Sequence, residues 1–177
     1  MSIIFARRSV RDFLAKAVEQ DKIERVLRAA MAAPSAHNRQ PWEFFVVTEA
    51  ADRKAIAEMG PYSKMCATAP VVIAVCVNKK LGEISTPEDT WWQQDLAAAT
   101  ENILLQLVEE GLGGVWLGWY PDKKRCAAFA DYFTLPEHIV PLSLVALGYD
   151  AKPETPDSVE QKKAARFDPK RVHYGSF

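Results

Sequence analysis

The chain has 177 residues, a formal net charge of −1 and an apolar fraction of 49%. This length fits one domain with a substantial core, and the balanced charge excludes an overall field that would draw the protein to nucleic acid or to an anionic membrane. Cys66, Cys76 and Cys126 are widely spaced and lie near no pair of histidines. This pattern argues against a disulfide framework or a zinc site and favours a reducing compartment. We find no signal sequence and no membrane-spanning apolar run, and we therefore expect a cytoplasmic protein.

The predicted elements alternate between helices and apolar strands. Helices are predicted over residues 21–33, 49–59, 90–110 and 123–132, and strands over residues 43–48, 71–77, 115–120 and 142–149. Asp21, followed three positions later by Glu24, is predicted to cap the first of these helices. The strand 71–77 is apolar throughout, which is typical of a strand covered on both faces and predicts a central place in the sheet. The helix 90–110 carries apolar residues around its circumference, so we expect its own domain or a second subunit to cover it on several sides.

A short basic stretch, residues 7–11, is the first candidate binding feature. It places Arg7, Arg8 and Arg11 within five positions, with the Ser9 hydroxyl between them. Guanidinium groups can grip phosphate oxygens two at a time, and a serine adds a further donor. The stretch therefore predicts an anion pocket, whereas the alternative is a solvated basic patch.

A polar loop, residues 34–42, is the second candidate feature. It lies between a predicted buried helix and an apolar strand, and it carries Pro34, Ser35, Asn38 and Gln40. Loops of this kind on a rigid scaffold commonly supply binding groups. The alternative is a polar turn that satisfies its own hydrogen bonds.

These stretches, together with later ones, resemble the nitroreductase family of flavin enzymes. The blocks that carry the resemblance occur in the family's order and span nearly the whole chain: Arg7-Arg8-Ser9-Val10-Arg11; Pro34-Ser35-x-x-Asn38-x-Gln40-Pro41-Trp42; Trp91-Trp92-x-x-Asp95 leading to Asn102-Ile103-Leu104-Leu105; Gly111-Leu112-Gly113 before Trp116-Leu117-Gly118; and Arg166-Phe167-Asp168-Pro169 near Val172-His173-Tyr174. The glycines at 111–114 do not indicate a dinucleotide-binding Rossmann motif, because they follow a predicted helix and not a strand.

The resemblance implies an α+β fold with three α/β/α layers and a mixed, largely antiparallel central sheet. It further implies an interlocked homodimer that holds two FMN molecules at its interface. Residues 1–177 would form one FMN-binding domain, with residues 152–177 as an extended C-terminal arm reaching the partner subunit. Longer family members carry extra helices between the strand ending at Val77 and the long helix, and the connection 78–89 is too short for them. We therefore expect a flavin cleft that is either more open or roofed by another part of the protein.

The resemblance also assigns the cofactor contacts. Arg7, Ser9 and Arg166 would hold the FMN phosphate, with Arg8 near the phosphate or the ribityl chain. Arg11, and Lys64 as a second candidate, would place positive charge beside the pyrimidine side of the flavin. The backbone at Leu117 and Gly118, next to Trp116, would face the flavin N5 atom. The loop residues Pro34, Ser35, Asn38 and Gln40 would contact the flavin of the other subunit. Asp95 is expected to be a structural hydrogen-bond acceptor, and no dedicated catalytic acid or base is identified.

The implied reaction is hydride transfer from NADH or NADPH through flavin N5 to a nitroaromatic, a quinone or a similar small acceptor, by a ping-pong mechanism. One alternative is another flavin reaction on the same scaffold, such as dehalogenation, dehydrogenation or fragmentation of the flavin. A second is a flavin-binding sensor without turnover. A third is a phosphate or nucleic-acid binding module, which the absence of a wider basic face disfavours.

Overall fold

A computed structural model describes residues 2–86 and 89–175 of the chain. Its helices are α1 (Ile3–Ala6), α2 (Gln20–Met31), α3 (Ala50–Glu58), α4 (Trp91–Glu109), α5 (Lys123–Tyr132) and α6 (Pro156–Ala164). Its strands are β1 (Trp42–Val47), β2 (Val71–Asn78), β3 (Gly113–Gly118) and β4 (Ile139–Gly148). Short 3₁₀ turns cover Ala36–Asn38, Lys64–Ala67 and Pro169–Arg171. Within the described ranges, no helix combines the length and the apolar character needed to cross a membrane.

The four strands form one antiparallel sheet in the order β1-β2-β4-β3. The predicted central position of β2 is confirmed, because β1 and β4 flank it and every residue from Val71 to Val77 is buried. The described residues also contain one parallel pairing. It is an isolated bridge between Ser9 and Gly114, at the edge of β3. The sheet is therefore antiparallel among its named strands, and the basic stretch adds the parallel component.

Helices cover both faces of the sheet, so the predicted α+β fold with three layers is confirmed. On one face, Ile23 and Val26 of α2 and Leu96 and Ile103 of α4 pack against the odd-numbered side chains of β2. The other face packs against α3 and α5 through residues that include Ile56 and Phe129. The two faces divide the side chains of β2 between them because successive residues of a strand point to opposite sides.

The first turn of α2 differs from its prediction. The helix begins at Gln20, and its N-cap is Glu19, whose side chain makes no capping hydrogen bond. Asp21 instead lies inside the first turn and pairs with Arg25 at 2.9 Å. The predicted capping role of Asp21 is wrong, although a carboxylate in the first turn still stabilises the helix dipole.

The C-terminal segment is not extended throughout. Residues Pro156–Ala164 form α6, which packs against α1 at the other end of the chain. Beyond α6, Phe167, Val172 and Tyr174 expose large apolar side chains. Residues 176 and 177 of the predicted arm, and residues 87 and 88 of the predicted connection, lie outside the described residues. The reach of the arm to a partner stays a prediction.

The C-terminal end of α4 is tied to α2 by charged groups. Both Nε and Nη2 of Arg25 donate to the Glu110 carboxylate at 2.8 Å, and the Lys22 ammonium donates to the Glu110 carbonyl oxygen at 2.6 Å. The hydrogen bonds from Arg25 are the largest cause that lowers the pKa of Glu110, from its ordinary 4.5 to about 2. This residue therefore favours the folded state only while it is ionised.

We expect the Glu110 contribution to stability to be present above pH 4.5 and to be lost as the pH falls toward 2, because the folded-state pKa lies below the ordinary value. Glu110→Gln should remove that part of the pH dependence, measured as the free energy of unfolding in urea between pH 2 and pH 6. Glu109→Gln, at an exposed neighbour, is the control and should leave the slope unchanged. An unchanged slope in Glu110→Gln would contradict the assignment.

The junction of β4 with β2 requires a glycine. A Cβ on Gly148 would lie 2.5 Å from Cδ and 2.6 Å from Cγ of Pro70, whereas a Cβ on Gly118 would meet no atom within 4 Å. Because the proline ring cannot turn away, Gly148→Ala should lower the free energy of unfolding by about 1–3 kcal/mol. Gly118→Ala is the matched control and should change it by less than about 0.5 kcal/mol. Chemical denaturation of both variants checks this, and equal effects would disprove the packing argument.

Candidate functional site

A cavity of about 560 Å³ lies between β3 and the turn that follows α3. It brings together five of the residues predicted from the sequence: Arg11, Lys64, Trp116, Leu117 and Gly118. Residues 60–65 form the facing wall, and Arg125 of α5 adds a further lining side chain. Residues separated by more than 100 positions therefore share one site.

The charge of this cavity is positive. Arg11 and Lys64 are exposed, and neither side chain makes a hydrogen bond or an ion pair with any described residue. The third cation, Arg125, is paired with Asp122 at 2.9 Å. No acidic residue is among the described lining residues of the cavity. Two cations without counter-ions are available to a ligand that carries or develops negative charge.

The backbone of β3 presents hydrogen-bonding groups to this space. The Trp119 N–H donates to the Leu142 carbonyl of β4 at 3.0 Å, whereas on the opposite edge the Gly114 carbonyl accepts from the Val10 N–H at 3.0 Å. Alternate residues of an antiparallel strand direct their N–H and C=O groups to the same side. Leu117 therefore faces β4, and Gly118 shares the orientation of Gly114.

We call the N–H and C=O groups of Gly114, Trp116 and Gly118 the outer edge of β3. The Val10 N–H of the basic stretch donates to the Gly114 carbonyl, and Arg125 Nη1 donates to the Gly118 carbonyl at 2.8 Å. Of the two backbone positions predicted to face flavin N5, the register thus favours the N–H of Gly118 over that of Leu117. The open space beside Gly118 would let a flat ring approach the main chain closely.

A second group of cations lies at the N-terminal side of the basic stretch. The Lys163 ammonium of α6 donates to the carbonyl oxygens of Ile4 and Arg7. Burial, and then the guanidinium groups of Arg7 and Arg166, lower the pKa of Lys163. Arg7 itself pairs with Glu101 of α4 at 3.5 Å. We call Arg7, Lys163 and Arg166 the cation cluster.

Lys163 was missed by the sequence interpretation. It precedes Arg166 by three positions in a charged segment, and this local basic density was the signal that could have found it. Its contact with Arg7 spans 156 positions of the sequence. The pattern of residues near Lys163 in the sequence does not predict a contact over that distance.

Arg8 is not part of the cation cluster. Its guanidinium pairs with Asp150, lies 3.7 Å from Glu154 and donates to the Lys152 carbonyl. Two carboxylates therefore compensate its charge, and it lines a different cavity, of about 200 Å³. Within one chain, Arg8 joins the basic stretch to the segment after β4, and its predicted flavin contact has no support from this geometry.

The polar loop does not line the cavity of its own chain. Asn38, His37 and Gln40 adopt positive φ angles of 54°, 53° and 51°. Strain of this kind costs about 1 kcal/mol or more at each position where the residue is not asparagine or glycine, and it persists only where surrounding contacts hold it. Binding groups are common in such loops.

Contacts inside and below the polar loop hold this conformation. Asp95 of α4 is buried and accepts from the Ala36 N–H at 2.9 Å, so its predicted role as a structural acceptor is confirmed. Ser35 Oγ accepts from the Gln40 N–H, and Gln40 Nε2 donates to Asn38 Oδ1, both at 2.9 Å. Pro34 is exposed where the loop begins. The contact of Pro34, Ser35, Asn38 and Gln40 with a partner's flavin stays a prediction.

The cysteines do not provide a nucleophile. Burial raises the pKa of Cys66 and of Cys76 to about 12 and that of Cys126 to about 11. Each thiol is therefore protonated near neutral pH and much less reactive than a thiolate. The cavity offers cations and backbone donors, which suit the binding of an electron-carrying group better than covalent catalysis.

Comparison with known proteins agrees with this arrangement. A family model described as "Nitroreductase family" matches residues 4–60 and 58–149. The chain belongs to the nitroreductase family. The resemblance seen in the sequence is thereby confirmed.

Similar proteins in this family match most or nearly all of the chain. A candidate NADH dehydrogenase/NAD(P)H nitroreductase of Archaeoglobus fulgidus is 40% identical over 173 residues, which cover 98% of this chain and 95% of the relative. The crystal structure of a protein with the same description from Bacteroides thetaiotaomicron has a TM-score of 0.86 and 38% identity, covering 99% of this chain and 96% of the other. A candidate nitroreductase from Desulfovibrio desulfuricans, solved in complex with FMN, has a TM-score of 0.75 and 26% identity, covering 86% of this chain and 88% of the other.

Proposed function

We propose that this protein is a single-domain, FMN-dependent oxidoreductase that takes hydride from NADH or NADPH and passes it to a nitroaromatic, a quinone or a similar small acceptor. The observation that carries the proposal is the cavity beside β3, which combines unpaired cations, outward backbone donors and an open approach to Gly118. The names of the similar proteins support both cofactors. NAD(P)H is in the description of the Archaeoglobus protein, and FMN is in that of the Desulfovibrio structure.

Arg11 and Lys64 would act on the charge of the reduced cofactor. Bound FMN would supply the redox chemistry, accepting hydride at N5 from the nicotinamide and delivering it to the acceptor. Cations at fixed positions beside the ring favour its reduced, anionic form. Because neither side chain has a protein counter-ion in the described residues, ligand binding would not have to break an existing ion pair.

The cation cluster would hold the phosphate of FMN. Arg7 and Arg166 supply guanidinium groups, Lys163 fixes the backbone of Arg7, and Ser9 supplies a hydroxyl. The basic stretch joins this cluster to the cavity, because Val10 bonds to the outer edge of β3. One extended ligand with an anionic end and a flat ring would suit both regions.

A second copy of the chain would complete the site. Ile4, Phe5, Trp91, Phe167 and Tyr174 are large apolar side chains that the single chain leaves exposed. Surfaces of this kind are typical of interfaces. We propose a homodimer in which residues 152–177 reach the partner and the polar loop serves the partner's flavin. We also propose a cytoplasmic location, on the basis of the sequence alone.

Redox titration separates this function from its alternatives. Freshly purified protein should be yellow, and anaerobic NADH or NADPH should bleach the flavin absorption rapidly. A nitroaromatic should then restore the absorption, and initial rates against both substrates should give the parallel lines of a ping-pong reaction. Slow reduction by both nicotinamides would favour another flavin reaction, and bound flavin that no acceptor reoxidises would favour a sensor.

We expect Arg7→Met and Arg166→Met each to weaken FMN binding by about 10- to 100-fold, because each removes a charge-assisted contact to phosphate. Neither change should weaken the binding of riboflavin, which has the same ring and no phosphate. Fluorescence titration of the apoprotein with each flavin measures both affinities. Lys80→Met, at an exposed lysine without a described side-chain partner, is the charge-matched control. Equal losses for FMN and riboflavin would exclude a phosphate site at the cluster.

We expect Gly118→Ala to fold normally and to bind both FMN and riboflavin at least about 10-fold more weakly, because the new methyl group would occupy the space that the ring needs. The same titration compares this variant with Arg7→Met, which should discriminate between the two flavins. Wild-type affinity for riboflavin in Gly118→Ala would place the ring elsewhere.

A further inference from the structure

We infer that Arg125 is a positioning residue: it fixes the peptide group between Gly118 and Trp119, and through this end of β3 it orients the adjacent Gly118 N–H that is offered to the flavin. This inference rests on the proposed function. Arg125 was not among the residues selected from the sequence, and α5, which carries it, was predicted there only as a helix. Its side chain lines the cavity beside Arg11 and Lys64.

The peptide that joins Gly118 to Trp119 is held from both sides. Its N–H, from Trp119, donates to the Leu142 carbonyl of β4 at 3.0 Å. The carbonyl of the same peptide group, from Gly118, lies on the edge opposite to β4 and accepts from Arg125 Nη1 at 2.8 Å. Without Arg125, the hydrogen bond to β4 would be the remaining tether of this peptide group among the described contacts.

Gly118 needs such a tether because it has no side chain and nothing packs against the place where one would be. Glycine is the most permissive residue of the backbone, and no atom lies within 4 Å of the place where its Cβ would be. Position 118 also ends β3 at the outer edge, where no neighbouring strand continues the ladder. The side-chain bond from Arg125 takes the place of the missing strand.

Arg125 is itself held rigidly enough to do this. Its Nε donates to Asp122 Oδ2 at 2.9 Å, and Asp122 is the N-cap of α5. Its guanidinium carbon lies 5.6 Å from the centre of the buried Trp119 ring, and its carbonyl accepts from Trp119 Nε1 at 2.8 Å. Its Cδ lies 3.1 Å from the position of a Cβ on Gly60, so the glycine leaves room for the stem.

The planar guanidinium fits this task better than an ammonium would. Nε and Nη1 serve different acceptors at the same time, on Asp122 and on Gly118, and the flat group lies over an aromatic ring. A lysine would keep the charge and lose the fork. The charge and the geometry of Arg125 can therefore be tested separately.

The first arm of the test examines the tether without any cofactor. Arg125→Met and Arg125→Lys are prepared as apoprotein, and amide exchange of Trp119 is followed by NMR. Both variants should exchange this amide about 10- to 100-fold faster than the wild type, since a hydrogen bond from a charged group is lost. Lys124→Met, at an exposed neighbour whose side chain has no described partner, should exchange as the wild type does. Unchanged exchange in both Arg125 variants would overturn the inference.

The second arm examines the consequence in the FMN-loaded protein. Stopped-flow reduction by NADH should slow by about 10-fold in Arg125→Met and in Arg125→Lys, with little change in the KM for NADH and with wild-type rates in Lys124→Met. If exchange rises and the reduction rate does not change, Arg125 is only structural and the positioning role fails. If the wild type binds no FMN, the proposed function fails, while the first arm still decides whether Arg125 holds the peptide. If Arg125→Met does not fold, Arg125→Lys gives both readouts.

Discussion

The unpaired outer edge of β3 is the constraint on which the site depends. A sheet edge leaves N–H and C=O groups without strand partners, and proteins commonly cover or block such groups. Here the basic stretch takes the carbonyl of Gly114 and Arg125 takes that of Gly118, so carbonyl groups are satisfied at both ends of the edge. By the register of β3, the N–H of Gly118 is directed outward, on the side of the cavity. An edge that would otherwise be open to pairing with another strand thus presents a hydrogen-bond donor at Gly118.

The charged side chains fall into two groups, those paired within the chain and those that face the cavity. Cations that serve the structure are compensated within the chain, as Arg8 is by Asp150 and Glu154 and as Arg25 is by Glu110. Arg11 and Lys64, by contrast, face the cavity without a described partner. Because the net charge of the chain is −1, this local excess is a property of the fold and not of the composition. It suits a ligand whose charge becomes more negative during its reaction.

In the proposed homodimer, the polar loop and the long helix α4 would contribute to the site of the second chain. Asp95 projects from α4 to hold the strained loop, so the helix that would form part of an interface also shapes the loop that would serve the partner. Two copies related by a twofold axis would each supply what the other lacks. A cleft at such an interface could be roofed by the partner, which would explain how a chain with a short 78–89 connection closes its site.

The sequence by itself determined most of the secondary structure, the layers and the family, but not the helices α1 and α6, the second of which forms where an extended arm was predicted. The apolar run 71–77 predicted its central strand correctly, because burial on both faces leaves no polar position in the pattern, and the blocks from Arg7 to Arg166 identified the family. Even the boundaries of α5 agree, whereas the predicted cap at Asp21 was wrong because the helix begins one residue earlier, at Gln20. Only the tertiary structure decided which groups meet: Lys163 with Arg7, Arg8 with Asp150, and Arg125 with Gly118 across the end of the sheet. It also decided that Gly118, and not Leu117, faces outward, since that depends on the register of β3 against β4. The contacts of Lys163 and Arg8 join residues 156 and 142 positions apart, and that of Arg125 depends on how α5 folds back against the end of β3. No local periodicity encodes these contacts or the register of the strands.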